Sequence, residues 1–497
     1  MGYARLFSRA AVGLAAPLVT VEVHLSGGLP QFQIVGLPET AVRESRERVR
    51  GALVNSRFDF PASRITVNLA PADLPKHGGR FDLAIALGIL AASGQMRDKQ
   101  LANIESFAEL TLSGELAPIA GVLPAALQSQ AANRCVVIAK DNGTEALLIN
   151  DLRVVTAESL ADVVAILEEQ TLPSITTSER VLKRHLPCRS ALDQIRGQET
   201  AKRALAIAAV GGHHLLLVGP PGTGKSLLAS ALPSLLPPMS RDEALVCAGI
   251  RSLCDERVEP EHFTTRPFRS PHHSASAAAL IGGGSRPRPG EISRAHNGVL
   301  FLDELPEFAS RTLDMLREPM ETGVVHLSRA AMQVTYPARF QMVAAMNPCS
   351  CGYAGDPERE CRCSGDQVAR YQSRVSGPLL DRIDLAVTVG RVKFSLLAKP
   401  PKHDTQFNDL IDGIAVARQR ALDRQGCPNA ALPGTDLLDC AGLSKDAERL
   451  LSRAADSLFL SARSCHRLIR VARTIADIFG EDRIAETHMA EALAYRR

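Results

Sequence analysis

The chain has 497 residues, too many for one hydrophobic core, which predicts two or three domains. Its 57 Lys and Arg stand against 54 Asp and Glu, a net charge of +3 that permits a local nucleic-acid patch without arguing for one. With no Trp and 4% aromatics, the composition argues against a protein that binds single strands by stacking bases on aromatic rings.

The first apolar run, Ala10 to Val23 behind Arg5 and Arg9, has the outline of a signal peptide, but Pro17 interrupts it. Val19, Val21, Val23 and Leu25 then alternate with Thr20, Glu22 and His24, the period of a half-buried strand. No run reaches the ~18 apolar residues that a membrane span requires. The expectation is a cytoplasmic protein without membrane contact, whose 11 cysteines are reduced thiols or metal ligands.

Residues 1–170 alternate strand-like runs (Ile65 to Leu69, Val136 to Ala139) with helical ones (Thr40 to Leu53, Leu83 to Ala92) and form a first domain. Residues 171–190 are polar, contain proline and lack a period, and read as a linker. Residues 191–398 form the second domain, in which a helical run leads into the apolar strand His214 to Val218 and a glycine-rich turn. Residues 399–497 are mainly helical, with Ser444 and Ser461 as N-caps and Gly480 as a helix end.

The glycine-rich turn reads GPPGTGKS: Gly219, Pro220, Pro221, Gly222, Thr223, Gly224, Lys225 and Ser226. Its glycines let backbone N–H groups turn inward around phosphates, and the helix that follows adds a favourable dipole. Lys225 would reach the β- and γ-phosphates of ATP and the Ser226 hydroxyl would ligate Mg²⁺. Downstream, GVLFLDEL (Gly298 to Leu305) is a buried parallel strand ending in two carboxylates. There Asp303 would hold Mg²⁺ and Glu304 would orient the attacking water. A third apolar strand, Phe340 to Met346, ends in Asn347, which fits a polar sensor of the γ-phosphate and water.

Cys349, Cys351, Cys361 and Cys363 follow at once, in the spacing C-x-C-x9-C-x-C. Four thiols so close together suit a structural Zn²⁺, although zinc knuckles usually space their pairs C-x2-C. Unligated thiols and an iron–sulfur cluster are the alternatives. The adjacent His272 and His273 are expected to point in different directions and to be structural.

With these residues in view, the chain resembles the bacterial YifB/ComM family of magnesium-chelatase-like AAA+ ATPases over essentially its whole length. The resemblance rests on FRSPHHS (Phe268 to Ser274), PGEISRAHNGVLFLDE (Pro289 to Glu304), SGPLLDRID (Ser376 to Asp384) and SARSCHRLIRVART (Ser461 to Thr474). It implies an AAA+ α/β domain with a parallel sheet and a C-terminal helical lid. Ile195, Gly197 and Gln198 would pack near adenine, Arg382 would be an arginine finger acting on a neighbour's nucleotide, and Arg463 would be a second sensor.

A finger acting in trans implies a ring, here a homo-hexamer, with ATP as its only small-molecule substrate. Such rings carry a hairpin that points into the channel. Val324 to Tyr336 is the matching segment, with Arg329 as a candidate contact to a DNA backbone. The N-terminal block resembles the α+β proteolytic domain of Lon. Laid over that fold, Leu69 to Ala84 puts Arg80 at the nucleophile's position, and Pro118 to Leu123 puts Leu123 where the catalytic lysine would be. A serine–lysine dyad needs a hydroxyl and an amine, so no peptidase activity is expected.

The family resemblance implies a DNA motor for branch migration of single-stranded or branched DNA in natural transformation. Arg286, Arg288, Arg467, Arg470 and Arg473 are further candidate contacts. The alternatives are a magnesium-chelatase-like remodelling ATPase acting on a protein partner and, less specifically, an unfoldase.

Overall fold

The structure is a computed structural model that describes residues 2–36, 40–97, 100–169, 195–256, 258–284, 287–329, 332–392 and 405–496. The expected linker, 171–190, lies outside the described residues.

The N-terminal block is built on a seven-stranded mixed sheet. Its order is Gln31–Val35, Arg64–Ala70, Leu18–Ser26, Gly2–Arg9, Ile104–Phe107, Cys135–Ala139, Val154–Ala157. The alternating Val19–Leu25 segment is indeed a strand, antiparallel to Gly2–Arg9 with Arg9 opposite Leu18 and Gly2 opposite Leu25. One helix, Asp82–Ala92, is buried from Asp82 to Leu90. A helix apolar all round must be enclosed, and Gly88 lets it close on the sheet, since a Cβ there would lie 2.5 Å from Val23 Cγ2. Its buried Asp82 is held by Arg48 Nε at 2.6 Å and by the Ser45 hydroxyl. A second buried carboxylate, Glu105, takes Arg9 at 2.6 Å and Arg134 at 3.0 Å.

Arg80 is almost fully buried, and its Nη2 donates to the carbonyls of Ala120 and Gly121 at 3.2 and 3.4 Å. Burial pushes its guanidinium down to about 10. The segments that resemble the two halves of a protease dyad therefore meet, through a guanidinium and backbone carbonyls, while Leu123 is buried in the apolar core.

The second domain is a five-stranded sheet in the order Phe268–Arg269, Val299–Leu302, Gln341–Met346, Leu215–Val218, Leu385–Thr388. Every junction is parallel. The asparagine-bearing strand thus lies between the P-loop strand and the acidic strand. Strands buried on both faces leave only their C-terminal ends for chemistry.

The C-terminal helices Thr405–Gln425, Lys445–Leu458, Ala462–Phe479 and Glu486–Ala494 share one apolar cluster with that sheet, joining Leu215 and Val387 to Ile475 and Met489. The hydroxyls of Ser444 and Ser461 accept from Ala447 N and Ser464 N, both at 3.2 Å, and caps of this kind contribute about 1 kcal/mol each. Gly480 ends the longer helix in the left-handed region, at φ 79°.

The same helix corrects one expectation. Arg473 is fully buried and donates to the carbonyl of Asp482 at 2.7 Å and to Asp477 Oδ1 at 3.0 Å. Arg467 donates to the Ile383 carbonyl at 2.7 Å and Arg470 to the Leu432 carbonyl at 3.0 Å. All three bind protein carbonyls, and full burial removes Arg473 from any DNA surface, while Arg467 and Arg470 stay partly exposed.

The two blocks dock through helix Val122–Ala131 against helix Arg241–Leu253, where Gly121 N donates to Ser252 O at 2.9 Å. Leu123 and Ile138 from one side pack in one cluster with Cys247 and Phe263 from the other. No helix among the described residues is long and apolar enough to cross a membrane.

Candidate ATP site

The P-loop begins where strand Leu215–Val218 ends and closes into helix Lys225–Leu235. Gly222 and Gly224 take φ of 76° and 86° with open space where a Cβ would stand. That conformation favours glycine and is the kind of turn that can direct backbone N–H groups at a phosphate. Lys225 folds back over the turn, its Nζ donating to the carbonyls of Gly219 at 2.7 Å and Pro220 at 2.8 Å. A third bond, of 3.1 Å, goes to Asn347 Oδ1 on the neighbouring strand. Burial lowers the lysine's pKa, with Asp303 and Glu304 opposing that shift.

Ser226 Oγ donates to Asp303 Oδ2 at 2.7 Å, so the hydroxyl and carboxylate expected at Mg²⁺ already face each other. Glu304 follows in the left-handed region, at φ 52°. A non-glycine residue there stores roughly 1–3 kcal/mol of strain, a feature that concentrates at functional sites. The turn aims the Glu304 carboxylate at His273, whose Nδ1 lies 3.2 Å from Oε2. The two histidines do not diverge: their rings stand 4.1 Å apart, and His272 instead meets Ser274 Oγ at 2.7 Å. From sequence His273 was read as structural, and its contact with Glu304 was not foreseen, although the FRSPHHS segment that carries it was noted.

Gln198 lies beside the P-loop, also in the left-handed region, and its side-chain amide donates to the Gly390 carbonyl at 2.6 Å. Ile195 is buried in the cluster beneath.

Arg382 and Arg463 belong to a different charge cluster. Each guanidinium lies 2.6 Å from the same atom, Glu321 Oε1. The Arg463 hydrogen bond is the leading cause that holds the Glu321 carboxyl below its ordinary range. Lys225 bonds Gly219, Pro220 and Asn347, whereas Arg382 bonds the Pro378 carbonyl and Glu321, each at 2.6 Å. Glu321 was missed from sequence, because nothing local to it marks it out. It lies in the last turn of the short helix Arg317–Thr322, which Gly323 joins to the hairpin Val324–Arg329/Met332–Pro337. Arg329 closes the first strand opposite Met332, but its side chain, like Arg286, lies outside the described residues. Arg288 is exposed.

The four cysteines converge. Their sulfurs all lie within 4.8 Å of one another, with Cys349–Cys351 at 3.3 Å, Cys351–Cys361 at 3.5 Å and Cys349–Cys361 at 3.7 Å. Four sulfurs on tetrahedral Zn²⁺ at bonds of ~2.3 Å would stand about 3.8 Å apart, so the cluster fits that ion. Backbone N–H groups of Tyr353 and Arg362 hold the Cys351 thiol down, to about 6.

Three family models match the chain. "Subunit ChlI of Mg-chelatase" covers residues 21–142, "Magnesium chelatase, subunit ChlI" covers 191–397, and "Magnesium chelatase, subunit ChlI C-terminal" covers 408–496. The chain is 48% identical to competence protein ComM of Haemophilus influenzae, over 100% of this chain and 98% of that one. It is 46% identical to YifB of Escherichia coli, over 100% and 97%. The magnesium-chelatase 38 kDa subunit of Cereibacter sphaeroides is 26% identical over 59% of this chain and 86% of its own.

Proposed function

Because the chain belongs to the YifB/ComM family of magnesium-chelatase-like AAA+ proteins, we propose that it is an ATPase that works as a homo-hexameric ring on DNA. One observation carries the ring: Arg382 and Arg463 share Glu321 in a charge cluster separate from Lys225, Asp303 and Glu304. Two guanidiniums grouped away from their own P-loop would be available to the nucleotide of another copy. The half-exposed Arg463–Glu321 pair contributes roughly 0–1 kcal/mol, so a neighbour's γ-phosphate could take Arg463 from Glu321 at little cost, whereas Arg382, 11% exposed, would also have to leave the Pro378 carbonyl at 2.6 Å.

ATP with Mg²⁺ supplies a phosphoryl group whose transfer to water releases the free energy that drives the motor. The empty turn at Gly222 and Gly224 fits phosphates, and Ser226 facing Asp303 fits the metal. Lys225 would give up its carbonyl partners to meet the β- and γ-phosphates. Asn347, already bonded to Lys225, would line the γ-phosphate and hold the attacking water. Glu304, released from His273, would polarise that water. Ile195 and Gln198 would border the adenine. The cysteine centre would hold a structural Zn²⁺.

The DNA part of the reading draws on the relative named as a competence protein and on the hairpin that ends at Arg329. Arg329 and Arg288 would contact phosphates in the channel, and the ring would drive branch migration that extends the pairing of incoming DNA during natural transformation. The N-terminal block would be a Lon-like domain without peptidase chemistry, since Arg80 and Leu123 supply no nucleophile. The test is the ATPase rate with and without forked DNA, with Glu304→Gln as control. Stimulation that weakens steeply with salt, as phosphate contacts do, supports the reading. No stimulation by single-stranded, forked or four-way DNA contradicts it and favours remodelling of a protein partner.

A further inference from the structure

The cysteine centre stands against the nucleotide cradle at several points. Cys349 is buried and lies two residues beyond Asn347, whose side chain meets Lys225. The carbonyl of the intervening Pro348 accepts from Gln372 Nε2 at 3.0 Å. Gly352, at φ 88°, lets the loop backbone lie against the P-loop, since a Cβ there would stand 2.7 Å from Pro221 Cδ. On the far side, Asp356, 1% exposed, pairs with Arg391 Nε at 3.3 Å, and the Tyr353 ring lies 5.6 Å from the same guanidinium. Arg391 adjoins Gly390, the residue whose carbonyl holds Gln198.

The loop 349–363 thus touches the P-loop at Pro221, adjoins the γ-phosphate side at Asn347 and reaches the adenine side through Arg391. Within it, few apolar residues are buried; Ala354 N donates to Cys349 Sγ at 3.3 Å and Cys363 N to Cys361 Sγ at 3.4 Å. N–H groups directed at sulfur suit thiolates that hold a metal. A short polar loop of this kind has little core of its own, so four metal bonds would be its main constraint.

We propose that Zn²⁺ at Cys349, Cys351, Cys361 and Cys363 is a control element of the ATP site. With the ion bound, the loop braces Pro221 and Asn347 in the arrangement that receives ATP. Without it, the brace relaxes and nucleotide affinity falls. The inference rests on the zinc reading given above and adds to it a coupling between the metal and the nucleotide.

The experiment uses the full chain prepared without oxygen. Zinc per chain is measured by mass spectrometry, and affinity for a fluorescent ATP analogue by titration. Both are measured before zinc removal by a thiol-directed mercurial, after removal of that reagent with excess thiol, and after zinc is returned. The thermal midpoint is followed throughout. The expected result is about one zinc per chain, a loss of affinity of roughly tenfold on removal, within the ordinary range of coupling between sites, and recovery on return. Asp356→Asn keeps all four thiols but removes the buried charge facing Arg391, leaving it only Glu358 at 3.6 Å and the Tyr353 ring; it should retain zinc and still bind the analogue several-fold more weakly. Full zinc with unchanged affinity after its removal would overturn the coupling and leave the metal site standing. A protein with no zinc, and none taken up, overturns both.

Discussion

The Nδ1 of His273 lies 3.2 Å from Oε2 of Glu304, so the carboxylate expected to activate water is held sideways by a histidine from the end of the neighbouring strand. A carboxylate turned towards His273 is not free to orient a water, and freeing it should raise hydrolysis. His273→Ala is expected to increase the basal ATPase rate several-fold in the absence of DNA, with ATP affinity unchanged. A basal rate that falls would show that His273 helps catalysis instead.

Glu304→Gln keeps the shape and removes the charge. Nucleotide affinity should stay within about twofold while turnover falls by roughly 10²- to 10³-fold, the usual scale for loss of a group acting in proton transfer or charge stabilisation. Lys225→Ala should instead abolish binding, because it removes the cation expected to meet the phosphates and the donor to Asn347. Equilibrium binding and steady-state rates, measured side by side, separate the two outcomes.

Glu321 neutralises two arginines that otherwise repel each other, and each lies 2.6 Å from its Oε1. Glu321→Ala should splay Arg382 and Arg463 and lower turnover by about tenfold, while ATP affinity, set by Lys225 on a separate cluster, changes little. Equal loss in affinity and turnover would contradict this division.

His296 gives the fold a pH dependence. Its Nδ1 accepts Arg339 N–H at 3.0 Å, a bond that only the neutral ring can make. Burial, with some help from Arg339, pushes its pKa down to about 4 from an ordinary 6.5. The unfolded chain therefore takes up this proton first, and stability present above pH 6.5 is lost as pH falls towards 4. From pH 7 to 5 the loss should be about 2 kcal/mol. His296→Gln should lose less over that interval, as read from thermal midpoints.

Much of the site was legible in sequence because it is local. GPPGTGKS, the acidic strand and the Asn347 strand each announce their position by a few adjacent residues, and the parallel sheet brings their ends together. Glu321 and His273 escaped because their roles depend on partners 142 and 31 residues away, a relation that no spacing reveals. Arg473 was misread for a related reason. It shares one face of its helix with Arg463, Arg467 and Arg470, the pattern of a solvated face, and only the tertiary structure shows it closed over by the carbonyls of Ala441 and Asp482. The cysteine cluster was visible as a spacing, but its contact with Pro221 was not.

The most direct test of the account is hydrolysis by mixed rings. Lys225→Ala chains cannot bind ATP and Arg382→Ala chains cannot supply a finger, so each alone should be inactive, by about 10³-fold or more for the finger. Mixed in equal amounts and allowed to exchange, they should recover a substantial part of the wild-type rate, because an intact finger on one chain meets an intact P-loop on the next. A mixture as inactive as its two components would contradict a catalytic centre shared between copies.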